Sequence, residues 1–201
     1  SCFKMKLTLD DGKSLIKLAR SSISEFFDKK EINVDESVKE KYSEKQGVFV
    51  TLYMDDELRG CIGFPEPVLP LYQAVVDAAK SAAFSDPRFL PLTKEEFKDV
   101  RIELSVLTLP ELVEVKEPEE YLNIIEIGKD GLIIRNSFNS GLLLPIVAVE
   151  YKWDAKTFLE NLCGKAGLSN DAWRDLNNKV YRFQSRVFSE KEPEGEIVEK
   201  M

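Results

Sequence analysis

Arg59 and Cys61, with Gly60 and Gly63 around them, fall inside the eight-residue stretch ELRGCIGF, 57–64. A guanidinium beside a thiol favours the thiolate, the nucleophilic form of that side chain. Glycine weakens a strand interior and persists there where another backbone or a ligand comes close. Read as a strand, the stretch alternates: Leu58 and Ile62 share one face with Gly60 between them, and Arg59 and Cys61 share the other. The first face meets the core, and the second is free to line a cleft. Cys61 is then a candidate nucleophile, Arg59 a candidate for stabilising negative charge, and Gly60 and Gly63 mark close approach. The same residues also fit a plainer role. A free cysteine packs as a small hydrophobe, and a strand arginine pairs across to an acid.

The rest of the composition narrows the chemistry. The 201 residues contain no histidine, which removes Ser-His-Asp and Cys-His catalysis from this chain. Imidazole metal ligands are absent too, no CxxC pair replaces them, and no EF-hand pattern supports an oxygen-ligated cation. No metal and no cofactor is expected. Three widely spaced cysteines, Cys2, Cys61 and Cys163, read as free thiols in a reducing, cytoplasmic setting. With 28 basic and 36 acidic residues the formal net charge is −8, which opposes non-specific binding to nucleic acid or anionic membrane. No apolar run is long enough to span a bilayer, and the first five residues lack the apolar core of a signal peptide. Abundant lysine and glutamate suit a heat-loving source.

The elements that must position the candidates follow from periodicity. A helix capped by Asp10 or Asp11 runs to about Phe27, with Leu15, Ile16, Ala19, Ile23, Phe26 and Phe27 on one face. Residues 28–46 read as a charged surface connection. GVFVTLYM, 47–54, is a strand, Asp55-Asp56 a turn, and ELRGCIGF its hairpin partner. An alanine-rich helix covers 69–84. The loop SDPRFLPL leads into a capping box, Thr93 to Glu96. VRIELSVL, 100–107, alternates Ile102, Leu104 and Val106 against Arg101, Glu103 and Ser105. A short helix at 117–123, a hairpin at 125–135 turning on Asp130-Gly131, a turn and short strand in SFNSGLLLP, a helix at 153–167 and a strand at 179–188 complete the pattern. The last dozen residues read as a frayed polar tail.

The sum is an α+β fold, a largely antiparallel sheet flanked by helices, either one globular domain or a bilobed one with a cleft beside the cysteine strand. Asp86 and Arg88 are the next candidates. Asp86 in its Asp-Pro turn either holds backbone N–H groups with Arg88 bracing the loop, or both serve the cleft. Asp130 reads as hairpin chemistry, Cys163 as core, and Trp153 and Trp173 as packing anchors. Arg182 and Arg186 share one strand face, as a basic patch or as solvated charges.

LRGCIG at 58–63, AFSDPRFLPL at 83–92, IELSVL at 102–107, GKDGLII at 128–134, GLLLPIVAVEYKWD at 141–154, FLENLCGKAGL at 158–168 and YRF at 181–183 occur in an order and spacing that resembles the AMMECR domain family. The likeness runs from about residue 10 to 190, so it implies a single domain over 1–190 followed by the tail, 191–201. It implies an α+β domain with a cleft near the cysteine strand and no established activity. Family members are fused to, or encoded near, Memo-type proteins and radical S-adenosylmethionine proteins, which implies a partner of that kind and a modification pathway. Carried onto this chain, the motifs make Cys61, Arg59 and Asp86 the catalytic candidates. Gly60, Gly63, Phe64, Arg88, Phe89 and Pro145 are the candidates for binding an unidentified ligand, with Leu144 and Trp153 shaping the walls. The chain departs from the family pattern at Phe64, at Ile146, and at Asp130, where many relatives carry histidine. Three functions stand open: an enzyme with a Cys61 nucleophile, a non-catalytic module whose Arg59 and Arg88 bind an anionic small molecule or RNA with Phe64 or Phe89 stacking, and a scaffold that docks a partner enzyme.

Overall fold

The computed structural model describes residues 7–200, so Cys2 and the first five residues lie outside the description. The described chain divides into two compact units, one built from residues 7–107 with 186–200 and the other from 108–185. In chain order the second unit is inserted into the first.

In the first unit, α1 (Leu9–Phe27) is capped by Thr8, whose side chain accepts from the Asp11 backbone N–H while the Asp11 carboxylate accepts from the Thr8 N–H. Asp11 is therefore the third residue of a capping box, not the cap that its charge suggested. The charged stretch 28–46, expected as a plain connection, contains a short helix, α2 (Glu36–Lys41). β1 (Val48–Met54) and β2 (Glu57–Phe64) form the expected hairpin, turning at Asp55 and Asp56. Both turn residues have positive φ, the requirement of a two-residue hairpin turn that follows the strand twist. α3 (Leu71–Phe84), α4 (Lys94–Phe97) and β3 (Val100–Leu107) follow, with the Thr93–Glu96 capping box in place.

β8 (Ser185–Glu190) and β9 (Ile197–Lys200) complete this sheet in the order β2-β1-β3-β8-β9. The stretch read as a tail is its last strand: Ile197 to Lys200 pair antiparallel with Val187 to Glu190. One face of the sheet carries Val48, Val50, Leu52, Val100, Ile102, Leu104 and Val106, all buried in one cluster with Leu15, Ile16, Ala19 and Ile23 of α1 and the alanines of α3. Alanine has no side chain beyond Cβ, so Ala78, Ala79, Ala82 and Ala83 bring the α3 backbone close to the strands.

Asp11 links α1 to α2. Its buried carboxylate accepts from the Tyr42 hydroxyl at 2.8 Å and pairs with Lys41 at 3.0 Å. Burial alone would raise this carboxyl, but hydrogen bonds from Thr8, Lys41 and Tyr42 outweigh it and bring the pKa down to about 2. A lowered folded-state value stabilises the protein above the unfolded value of 3.8, and that stability is lost as pH falls toward 2. Denaturant midpoints measured from pH 6 to pH 2 are expected to fall with acid, with Asp11 contributing about 2 kcal/mol of the loss. Asp11→Asn flattens the profile by that amount; an unchanged profile would refute the assignment.

In the second unit, β4 (Glu111–Leu112) is followed by a 3₁₀ turn, Pro118–Glu120, and α5 (Tyr121–Ile124), where the short helix was expected. β5 (Gly131–Arg135), β6 (Ser140–Leu143) and β7 (Lys179–Phe183) give a sheet ordered β4-β7-β5-β6. The hairpin expected over 125–135 does not form. Asp130 is buried and its carboxylate accepts from the Glu126 N–H, while its own N–H goes back to the Glu126 carbonyl. That closes 126–130 into a turn, so β5 pairs onward with β6 and β7 instead.

α6 (Pro145–Glu150), absent from the sequence reading, starts with proline at its first position, where the missing N–H costs nothing. α7 (Ala155–Lys165) is capped by Asp154, and Gly167 at φ +74° follows its end. Cys163, Trp173 and Phe158 are buried in this unit's core, as expected of packing residues. The single strand expected over 179–188 is two strands. Thr108 exchanges hydrogen bonds with the Gln184 backbone, its N–H to the carbonyl and its hydroxyl from the N–H, and so takes Gln184 out of either ladder.

Candidate functional site

β2 is the edge of the five-stranded sheet. Its register against β1 pairs Cys61 with Thr51 and Gly60 with Leu52, but then shifts, so that Leu58 faces Tyr53 and Arg59 is the extra residue of a bulge. The bulge breaks the alternation on which the sequence reading relied. Leu58 does not enter the core; it is 38% exposed and lies opposite Tyr53. Arg59 is not held beside the thiol. Its Nε donates to Glu96 Oε2 at 2.7 Å and a second N–H to Oε1 at 3.3 Å, a fork that ties the bulge to the capping box of α4.

The guanidinium that reaches Cys61 belongs to Arg88. Asp86 accepts the Cys61 backbone N–H at 3.0 Å, and Arg88 Nη2 donates to the Cys61 carbonyl at 3.3 Å. Asp86 and Arg88 are themselves joined through Nε at 3.1 Å and Nη2 at 2.8 Å, and Asp86 also accepts the Arg88 backbone N–H. Two side chains thus do for Cys61 what a neighbouring strand would do, and they close the sheet edge there. The Arg88 side chain beside Asp86 and the two backbone N–H groups outweigh burial, which would raise it, and hold the Asp86 carboxyl well below the usual carboxylate range. A carboxylate held that low has no proton to exchange near neutrality, so the geometry makes Asp86 a brace.

The glycines are explained by the protein itself. A Cβ on Gly60 would sit 2.1 Å from the Ala82 carbonyl oxygen, so the close approach is the α3 backbone. A Cβ on Gly63 would meet the Val48 carbonyl at 2.3 Å and the Phe49 ring at 2.6 Å. Phe64 pairs with Val48 and packs against the helix-covered core, on the face away from Cys61. Phe89 lies between the two candidate cations, with the Arg59 guanidinium 5.8 Å and that of Arg88 5.5 Å from its ring centre. Pro145 is buried in the other unit, as the first residue of α6.

Around Cys61 the register builds a constellation that the motif does not contain. On the face opposite the helices, Cys61, Thr51 and Glu103 lie in one row across β2, β1 and β3, and Leu58, Tyr53 and Arg101 in the next. Cys61 Sγ and Thr51 Oγ1 are 3.1 Å apart. Glu103 pairs with Lys200 at 2.7 Å, and the Arg101 guanidinium lies 4.5 Å from the Tyr53 ring centre. Arg101 is anchored in turn by Nη1 donating to Ser189 Oγ at 2.7 Å. Burial, then the negative charge of Glu103, push the Tyr53 phenol above its usual value against the pull of Arg101. The polar positions of both strands are visible in the sequence; their convergence on Cys61 needs the register.

The second unit carries a concavity of about 580 Å³ lined by Asn136, Ser169, Asp171, Arg174, Asp175 and Asn178 among others, none of them a candidate from the motifs. Among the described residues no group of three or more histidine, cysteine, aspartate or glutamate side chains is arranged to hold a metal ion. No helix of the described residues is long and apolar enough to cross a membrane.

The model of the AMMECR1 family matches residues 16–188, and the chain belongs to that family. It is 51% identical over 196 residues to Protein MJ0810 of Methanocaldococcus jannaschii, covering 96% of this chain and 97% of that protein. A protein of Aquifex aeolicus is 52% identical over 190 residues, 93% of this chain and 96% of its own length. Among solved structures, that of Uncharacterized Protein PH0010 from Pyrococcus horikoshii superposes with a TM-score of 0.82 at 44% identity, over 98% of this chain and 99% of that one. The α+β fold read from the sequence is the fold of this relative.

Proposed function

We propose that this protein is an enzyme whose nucleophile is Cys61, with the Thr51 hydroxyl and the Arg88 guanidinium supporting the sulfur as it carries charge. The observation that supports the reading most is the 3.1 Å contact between Cys61 Sγ and Thr51 Oγ1 on a half-buried thiol. A hydroxyl in that position donates to a sulfur anion, and a neighbouring cation adds to the effect. Arg88 serves in place of Arg59 by position: both are paired to carboxylates, but Arg88 also donates to the Cys61 carbonyl, whereas Arg59 is drawn away to Glu96. Asp86 fixes Arg88 and the Cys61 backbone together. The association of the family with Memo-type and radical S-adenosylmethionine proteins supports a modification pathway and a partner of that kind.

Iodoacetamide labelling of the folded protein, followed by peptide mass spectrometry, tests the reading. Cys61 is expected to react well before Cys163, whose thiol is buried and pushed up by that burial. Thr51→Val is expected to slow Cys61 by about tenfold, the worth of one hydrogen bond to a charged group. A Cys61 as slow as Cys163, or one indifferent to Thr51→Val, overturns it.

A further inference from the structure

Tyr53 is two residues from Thr51 on β1, so both side chains leave the sheet on the face that carries Cys61. Its ring is held under the Arg101 guanidinium, and Arg101 is pinned by Ser189. The phenol is half-buried, and among the described residues no hydrogen bond engages its hydroxyl. Because no buried side-chain oxygen among the described residues lacks a partner, this hydroxyl reaches solvent, where an incoming substrate can meet it. Here the ring is fixed, the hydroxyl is unspent, and the neighbouring row holds the nucleophile.

We propose that Tyr53 is the proton donor of this site, and that the substrate is an activated carbonyl compound. The inference rests on Cys61 being the nucleophile. When the sulfur adds, the S–C bond forms and a π bond of the substrate breaks. The displaced electron pair moves to the substrate oxygen, and that oxygen takes the phenolic proton; the phenolate then regains a proton from water. The raised pKa of Tyr53 keeps the proton available throughout the neutral range. Arg101 over the ring stabilises the transient phenolate.

Two thiol reagents separate this role from a structural one. N-ethylmaleimide adds sulfur across its double bond and places charge on an imide oxygen, which a donor stabilises. Iodoacetamide forms the same kind of S–C bond by expelling iodide and needs no proton. Tyr53→Phe keeps the ring under Arg101 and removes only the hydroxyl. It is expected to slow the maleimide reaction of Cys61 by about tenfold or more while leaving the iodoacetamide rate within about twofold. In the wild-type protein the maleimide-to-iodoacetamide rate ratio is expected to hold through the ordinary phenol range and to fall only above it, because burial keeps the Tyr53 proton on. Equal changes with both reagents, or none with either, together with a flat ratio, overturn the donor role and leave the nucleophile standing. A wild-type Cys61 inert to both reagents overturns both.

Discussion

Replacing Glu190 by alanine is expected to lower the unfolding free energy by about 3–5 kcal/mol, the range for leaving half of a buried ion pair behind. Glu190 is 3% exposed. It accepts from Arg20 Nε at 3.0 Å and Nη2 at 2.7 Å, and from the Ile102 backbone N–H at 2.8 Å. Arg20, on α1, also donates to the Val100 carbonyl and lies over the Phe97 ring. One carboxylate therefore joins α1 to β3 and β8. Truncating it strands a guanidinium and a backbone donor where water reaches them poorly. Urea unfolding followed by circular dichroism measures the loss. Glu190→Gln, which keeps an acceptor, is expected to lose less, and Arg20→Met/Glu190→Met less than the sum of its parts, because two apolar groups leave no charge unpaired. A Glu190→Ala variant within about 0.5 kcal/mol of wild type, the scale of a neutral surface change, would show that the pair does not hold the unit together.

Gly60→Ala is expected to cost about 3 kcal/mol, at the upper end for overpacking. The added carbon would lie 2.1 Å from the carbonyl oxygen of Ala82, a backbone atom in the last turn of α3 rather than the tip of a flexible side chain. Either α3 lifts from the sheet or β2 bends outward, and both open the core beneath Val50 and Leu52. Gly164→Ala is the matched control, since a Cβ there meets nothing within 4 Å. In the last turn of α7 that change is expected to stabilise by up to about 0.5 kcal/mol. Melting temperatures that move in opposite directions for the two variants support the account. A melting temperature for Gly60→Ala equal to wild type removes it.

The sheet elements read most directly from sequence were those with one buried face. The alternation in VRIELSVL fixed β3 to the residue, because a slip by one would have exposed Ile102, Leu104 and Val106. The hairpin of β1 and β2 was legible for the same reason, with Asp55-Asp56 as its punctuation. What escaped was set by single side chains reaching far along the chain. The bulge at Arg59 is an irregularity of pairing, and strict alternation therefore placed the wrong arginine beside Cys61. Asp130-Gly131 has the composition of a hairpin turn, but the buried carboxylate of Asp130 closes a different loop. Thr108 divides a stretch that alternates without interruption from 179 to 188.

The motif residues are partly engaged otherwise than the strand pattern suggested. Cys61 stands where the reading put it, on a half-buried strand, while Gly60, Gly63 and Phe64 answer to packing. Asp86 and Arg88 follow the bracing alternative that the Asp-Pro turn allowed. Thr51, Tyr53, Glu103 and Arg101 carried a visible signal, polar residues at alternate strand positions. Only the cross-strand register brings them to one thiol.

The insertion of residues 108–185 between β3 and β8 bears on how the polypeptide is made. Synthesis completes the inserted unit while the other still lacks two strands of its sheet. Until residues 186–200 leave the ribosome, the far side of β3 has no neighbour, and Arg20 has no counter-ion at Glu190. The half-made sheet waits with an open edge for the whole time its guest is being translated, a span in which chaperone contact or mispairing would be decided at β3.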